Sequence, residues 1–272
     1  MKIYVMSDIH GFSDAFVTAL DKVDLSGQNK LILLGDYMDY GPNSRKVIEI
    51  IINLQLKYGK EKAIALLGNH EKAFLDWIDE YTNINVHIAN LDKYSNNEWL
   101  QSERDCDYET LRSFLTDTHM ESFLATENMM SWDSRNVEAV RLLLEDAREI
   151  IDWLKTCPYY YETEKQIFVH AGIVEWADED WLDVTSDDLM VSKYPASIGL
   201  FYKDIIAGHV AASEVAKDNS LQGIYFDGFS HFYIDGSANK NRRLLCLGYD
   251  EETGCYYDFG LDGSKKILKE NR

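Results

Sequence analysis

Proline is scarce, three in 272 residues, so no proline-rich linker divides the chain. The four cysteines, Cys106, Cys157, Cys246 and Cys255, are scattered without a CxxC pair. That spacing excludes a zinc knuckle and a disulfide framework, and it predicts reduced thiols. Positive charge is the other deficit: 27 Lys and Arg face 47 Asp and Glu, a formal net charge of −20. Wrapping DNA or RNA rests on clustered Lys and Arg, so no nucleic-acid partner is expected. No run of like charge is long enough to form a tail. No apolar stretch approaches the ~18 residues that span a bilayer, and the apolar run in "MKIYVMSDIHG" is too short for a signal core. The expectation is a cytoplasmic protein without a membrane partner.

What is present is the material of a folded domain. Hydrophobic residues make up 46% and aromatics 12% of the chain, enough to bury a sizeable core. Short apolar runs recur, each stopped by Gly, Asp, Asn or His: "KIYVM", "LILL", "AIALL", "QIFV" and "DIIA". Runs of this length between turn formers read as buried strands. Helical patterns fill the gaps, over Phe12 to Leu20 and over Ser44 to Leu56, the latter with Val47, Ile48, Ile51, Ile52 and Leu56 near 3.6-residue spacing. Alternating strand and helix predicts an α/β layered core with largely parallel strands.

From about residue 76 to 156 the pattern is helix-rich without a convincing strand. Its clearest helix is expected over Val137 to Lys155, closed by Pro158. After His209 the hairpin-like segments "GIYF", "HFYID", "RLLCLGYD" and "CYYDFG" suggest an antiparallel second sheet. With no repeat and no linker, the chain reads as one domain over 1–272, carrying a helical insertion.

Ligands of parallel α/β sheets gather at the carboxyl ends of the strands. Here those ends carry Asp8 and His10, Asp36 and Asp39, Asn69 and His70, His170, and His209. Singly, each has an ordinary reading: an aspartate caps a helix, a histidine is a hydrogen-bonded core residue, an asparagine makes a turn. Together they are metal ligands and acid/base groups of one chemical kind. Carboxylate, imidazole and amide oxygen without thiolate suit divalent Mn or Fe, with Zn as a further candidate. The ligands outnumber what one ion needs. Two ions bridged by one carboxylate would generate a nucleophile at neutral pH and clamp an in-line displacement at phosphorus.

In order, "SDIHG" (7–11), "GDYMDYG" (35–41), "GNHE" (68–71), "HAG" (170–172) and "GH" (208–209) resemble the calcineurin-like metallophosphoesterase superfamily. More narrowly they are similar to its phosphoprotein phosphatase branch, which includes bacterial and phage serine/threonine phosphatases and symmetrical dinucleoside tetraphosphate hydrolases. The stretch "IDWLKTCPYYYETEKQIFVHAG" is similar to the same branch. The resemblance implies an α/β metallophosphoesterase β-sandwich, two mixed sheets flanked by helices. It implies Asp8, His10 and Asp36 on a first metal, with Asp36 bridging to a second that Asn69, His170 and His209 complete. His70 matches the general acid and Asp39 the carboxylate that orients it.

The implied function is hydrolysis of phosphomonoesters, serine/threonine protein phosphatase-like, by a hydroxide held by two divalent ions, foremost Mn²⁺. Two alternatives are a dinucleoside polyphosphate or other nucleotide pyrophosphohydrolase and, in another class, a non-catalytic metal-binding interaction module. The partner would be a phosphoprotein or nucleotide; oligomeric state is left open.

One departure bears on substrate. Where the family pattern reads Gly-Asp-x-x-Asp-Arg-Gly, this chain has Tyr40 in place of the phosphate-holding arginine. A phenol gives one neutral hydrogen bond where a guanidinium gives a charged fork. A second phosphate-binding arginine, which the family places shortly before the His209 strand, is also missing, that stretch offering only Lys193; Arg45 is the expected substitute, with Arg242 and Arg243 as weaker candidates. The insertion's Trp77, Trp99, Trp132 and Trp153 are expected mostly in its core, a few of its aromatics being free to cap the cleft. His231 lies outside every motif, and His87 and His119 are expected to be surface or packing residues.

Overall fold

The computed structural model describes residues 1–82, 98–260 and 264–270. His87 lies outside the described residues.

Two sheets stack face to face. The first has the order β11-β10-β9-β1-β2-β3 and the second β4-β5-β6-β8-β7. Here β1 is Lys2–Met6, β2 Lys30–Leu33, β3 Ala63–Ala65, β4 Tyr160–Glu162, β5 Gln166–Val169 and β6 Asp204–Ala211. The remainder are β7 Tyr225–Phe226, β8 His231–Asp235, β9 Leu247–Asp250, β10 Cys255–Phe259 and β11 Lys265–Lys269.

The strands of the first sheet's parallel half are apolar on both faces because each face has a cover. Ile3, Val5, Ile32, Leu34, Ile64 and Leu66 point to the second sheet, meeting Phe168, Ile206, Phe232 and Ile234. Their alternates Tyr4, Met6, Leu31, Leu33, Ala65 and Leu67 face the helices, as period-two alternation requires. The outer face of the second sheet, Ile167, Val169, Ile205 and Ala207, packs on Trp181 and Met190. The result is helix, sheet, sheet, helix.

β1 pairs parallel with β2, β2 with β3, β5 with β6 and β6 with β8. The expected antiparallel second sheet is corrected in one respect. β9, β10 and β11 join the first sheet, through an antiparallel pairing of Lys2 to Asp250 and Val5 to Leu247. In the second sheet β7 runs antiparallel beside β8 and β4 antiparallel beside β5. Local alternation marks these segments as strands, but which edge they join is set by contacts far away in the chain.

Helices α1 (Ser13–Leu20) and α2 (Ser44–Tyr58) cover the first sheet. In α2, Val47, Ile48 and Ile51 are buried, whereas Leu56 is 80% exposed. Nine residues beyond Val47, at about 100° per residue, Leu56 falls on the opposite face.

The helical stretch holds α3 (Asn69–Thr82), α4 (Trp99–Asp105), α5 (Glu109–Phe114), α6 (Asp117–Ala125), α7 (Trp132–Asp146) and α8 (Arg148–Leu154). The single helix expected over Val137 to Lys155 is two. Ala147, at φ −134° and ψ 18°, ends α7 and begins α8, and the start lies earlier, where the Ser131 hydroxyl accepts from the Ser134 N–H. Both sides of the break keep apolar residues inward, so periodicity alone does not register it. Trp77, Trp99 and Trp153 are buried in the same core as α1, α2 and Met6. The stretch therefore shares the core of the sheet.

Shorter helices complete the chain: α9 (Trp181–Val184), α10 (Asp187–Ser192), α11 (Ala212–Val215) and α12 (Ala238–Asn241). No helix among the described residues is long and apolar enough to cross a membrane.

Candidate metal centre

Each parallel strand runs out into a loop at one end of the stacked sheets, and the loops interlock through their backbones. The Asp8 N–H donates to Gly35 O at 3.1 Å, His10 N–H to Asp36 O at 2.9 Å, and Gly208 N–H to His170 O at 2.8 Å. To turn there, Asp8, His10, Asp36, Asp39, Tyr40 and His209 adopt φ between 49° and 67°, the left-handed region. Non-glycine residues pay for that conformation, and such outliers gather where side chains must converge. His209 lies inside β6, where the pairing with β8 shifts between Ala207 and Ala211. That bulge turns its ring toward the site.

Two glycines let the loops approach. A Cβ on Gly68 would stand 2.1 Å from Asp36 Oδ1, and one on Gly208 would stand 2.2 Å from Asp8 Oδ2 and 2.1 Å from Ser7 Oγ. Only hydrogen fits at either place.

The donor atoms form two trios, His10 with Asp36 and His70, and Asp36 with His170 and His209. Within each trio the atoms lie within 4.8 Å of one another, and Asp36 belongs to both. His10 Nε2, His70 Nε2 and His170 Nε2 stand 3.7, 3.9 and 3.4 Å from Asp36 Oδ2. Asn69 Oδ1 accepts from His170 Nε2 at 2.9 Å and His209 Nδ1 at 3.0 Å. Asp8 stands in neither trio: its carboxylate accepts the His209 backbone N–H, 3.2 Å from each oxygen.

His10 Nδ1 donates to Met38 O and His170 Nδ1 to Leu34 O, both at 3.0 Å. Each backbone carbonyl fixes a tautomer and turns Nε2 toward Asp36, the usual arrangement behind a metal-binding imidazole. The set is nitrogen and oxygen only, buried except for the half-buried Asn69, His70 and His209, and built around one shared carboxylate. It fits a pair of divalent cations of intermediate softness.

Burial alone would raise the Asp36 carboxyl, but the His170, His70 and His10 rings hold it far below the carboxylate range. Against burial, the Asp36 charge pushes His170 up to about 9 and, joined by Asp39, pushes His70 up to about 10. Burial and the neighbouring His170 lower His209 to about 4. Asp8 is raised by burial and by Asp235 nearby.

The His70–Asp39 pair is a close contact of the site. His70 Nδ1 donates to Asp39 Oδ2 at 2.6 Å, leaving Nε2 on the side of Asp36. Asp39 is in turn held by the helical stretch: Thr110 Oγ1 donates to Oδ1 at 2.8 Å and Trp99 Nε1 to Oδ2 at 3.3 Å. Neither residue carries a signal in the sequence, since both lie outside every motif.

Glu71 was within the "GNHE" motif without an assigned role. It is fully buried, and its carboxylate accepts four backbone N–H groups: Asp36 at 2.8 Å, Tyr37 at 2.8 Å, Gly68 at 3.0 Å and Met38 at 3.3 Å. It pins the Asp36 loop to the Asn69 loop. Asp235, also unanticipated, is a buried carboxyl raised by burial and by the charge on Asp36.

The substrate candidates divide. Tyr40 is at the site, 44% exposed, with its ring edge-on to His10 at 5.1 Å and His70 at 5.2 Å. Arg45 is not. Its guanidinium donates to Ser113 O at 3.0 Å, to Asp146 O at 2.9 Å and to Phe114 O, inside a separate cavity of about 590 Å³ that no metal-centre residue lines. The helical stretch offers uncapped carbonyls there, and those claim the charge. Lys193 is paired with Glu175 at 2.5 Å, and Arg243 with Gln222 at 3.0 Å. Arg242 lies over the Phe12 ring at 5.5 Å. His231 is buried against Asp227, and His119 pairs with Asp146 at 2.8 Å.

Comparison with known proteins agrees with this geometry. The whole chain, residues 1–272, matches the family described as Calcineurin-like phosphoesterase. The chain belongs to that family. Local similarity extends to a zinc-dependent endopolyphosphatase of Saccharomyces cerevisiae, 41% identical over 73 residues, or 26% of this chain and 21% of that protein. A symmetrical bis(5'-nucleosyl)-tetraphosphatase of Wigglesworthia glossinidia brevipalpis is 36% identical over 72 residues, 26% of this chain and 25% of that one. The matched region thus spans a quarter or less of the length of these relatives. Among solved structures, the cold-active protein-tyrosine phosphatase of a Shewanella species superposes with a TM-score of 0.56 at 14% identity, covering 98% of this chain and 80% of that one. That likeness shows a shared fold, two mixed sheets flanked by helices.

Proposed function

We propose that this calcineurin-like phosphoesterase hydrolyses phosphomonoesters with two divalent cations and His70 as the general acid, in the manner of the metal-dependent serine/threonine protein phosphatases. The observation that carries the reading is the His70–Asp39 pair, 2.6 Å long, set directly beside the carboxylate shared by both donor trios. His10, Asp36 and Asp8 would hold one cation, and Asp36, Asn69, His170 and His209 the other. Bound there, the cations would supply Lewis acidity toward phosphoryl oxygens and an acidified water as nucleophile.

The chain's own part is positioning and proton delivery. Asp39 fixes the His70 ring, and the Asp36 charge joined by Asp39 favours its charged form, so that Nε2 faces the centre carrying a proton. That proton goes to the departing ester oxygen. Thr110 and Trp99 keep Asp39 from rotating. No side chain is required as a covalent nucleophile.

A second reading, nucleotide pyrophosphohydrolase, draws on the tetraphosphatase named among the relatives. A reading as a non-catalytic module has less support, because a site that had abandoned catalysis would have no use for a buried, correctly oriented acid pair.

The test is turnover by purified protein with added Mn²⁺, Zn²⁺ or Fe²⁺ on an aryl phosphate, a phosphoserine peptide and diadenosine tetraphosphate. General acid catalysis is worth about 10²–10⁴-fold, so His70→Asn is expected to lower kcat by that order with two cations still bound. Turnover of the dinucleotide alone would favour the second reading. No turnover by a chain holding two cations would favour the non-catalytic one.

A further inference from the structure

A cavity of about 170 Å³ opens beside the acid pair, walled by Tyr40, His70, Trp99, Ser102, Glu103 and Cys106. It shares Asn69 and His70 with the metal centre. An ester whose phosphate lies on the donor trios turns its leaving oxygen toward His70, so the rest of the leaving group faces this space.

Its size, lining and charge restrict what enters. A cavity of about 150 Å³ suffices for benzene, so this volume accommodates one six-membered ring but not a base with its sugar. Two aromatic side chains form the walls: Trp99 is buried and held by Asp39, and Tyr40 stands half-exposed at the mouth. Aromatic faces and edges favour a flat ring. Among the described residues none of the lining groups is Lys or Arg, whereas Asp39 and Glu103 are acidic. Among the described residues, a polyphosphate leaving group would meet no counter-charge. Burial pushes the Glu103 carboxyl up, to about 8, which makes that wall less hostile to a neutral ring.

We infer that this cavity is the leaving-group subsite and takes a single uncharged aromatic ring, so that the substrates are aryl phosphomonoesters of tyrosine type rather than alkyl esters or nucleotides. The inference rests on the hydrolytic reading above, keeping its mechanism and replacing its serine/threonine esters with aryl esters as substrate. Tyr40, in the place of the family's arginine, then serves the ring rather than the phosphate. The balance is ester plus water to phenol plus hydrogen phosphate. The water oxygen bonds phosphorus as the bond from phosphorus to the aryl oxygen breaks. His70 Nε2 gives its proton to the phenol oxygen and regains one released from the water.

The experiment separates the subsite from the chemistry by using non-hydrolysable ligands. Phenylphosphonate and methylphosphonate are titrated calorimetrically into the full chain loaded with Mn²⁺, and into Ser102→Trp and Cys106→Phe, which fill the cavity from its rim. Circular dichroism verifies that the variants fold. The expected result is about tenfold tighter binding of phenylphosphonate by the native chain, and loss of that difference in a folded variant. Equal affinity for both ligands in the native chain, or variants that weaken both alike, would overturn the subsite. In parallel, phosphotyrosine and phosphoserine peptides of one sequence are assayed; a ring-selective chain that turns over neither would refute the hydrolytic reading while leaving the subsite standing.

Discussion

Thr110 Oγ1 donates to Asp39 Oδ1 at 2.8 Å while accepting the Asp39 backbone N–H at 3.1 Å. A side chain from the helical stretch thereby clamps the residue that aims His70. Replacing the hydroxyl by a methyl in Thr110→Val keeps the volume and removes both bonds. We expect kcat on an aryl phosphate to fall about tenfold, which corresponds to roughly 1.4 kcal/mol of transition-state stabilisation. Metal content by elemental analysis should stay at the native level. A loss of metal instead would show that Thr110 supports the whole centre rather than the acid.

Glu71 connects the Asp36 and Asn69 loops through four N–H groups that have no other partner among the described residues. In Glu71→Gln an amide nitrogen must face some of those donors, and the charge they stabilise is gone. A loss of about 2–3 kcal/mol in unfolding free energy is expected from urea titration. Weaker Mn²⁺ binding should accompany it, because the Asp36 loop is freed. Native stability in this variant would mean that the four contacts contribute little.

Gly208 presses on Ser7 and Asp8. The methyl group of Gly208→Ala has to displace either the Asp8 carboxylate or the β6 bulge. Overpacking of this kind costs about 1–3 kcal/mol, and the denaturation midpoint should drop accordingly. Calorimetric titration should also show weakened cation binding. A variant that binds both cations with native affinity would show that Asp8 can move without consequence.

Away from the centre, Glu175 is paired with Lys193 at 2.5 Å and lies 3.6 Å from His231 Nε2. Burial opposes its charge, but His231 and Lys193 outweigh burial and lower the carboxyl from 4.5 to about 2. A carboxyl depressed in the folded state contributes stability that is complete above 4.5 and lost as pH falls through about 2. The difference in urea midpoint between the native chain and Glu175→Gln should therefore be widest near neutrality and close over that acid range. A difference independent of pH would assign the effect to packing.

The cluster of candidate ligands was legible because its residues follow their strands within a few positions. An apolar run ending in "GDYMDYG" announces both the strand and what it delivers, and Asp36, Asp39, Asn69, His70, His170 and His209 all stand where that pattern predicts. The helical stretch was legible as helix for the same local reason. Its break at Ala147 was not, since both halves keep one apolar face.

What the amino-acid order determined by itself is most of the strands, β4 and β11 excepted, their polar ends and hence the donor chemistry, because each is encoded by neighbours in the chain. Only the tertiary structure decided where long side chains and late strands go. Arg45 lies one helical turn from Tyr40, yet the carbonyls of Ser113, Phe114 and Asp146 draw it away. Thr110 and Trp99 reach Asp39 across some 60 to 70 intervening positions. β9 completes the first sheet by pairing with β1 from the opposite end of the chain. Such choices depend on which unpaired donors, acceptors and strand edges the rest of the fold leaves open, and local sequence carries no record of those.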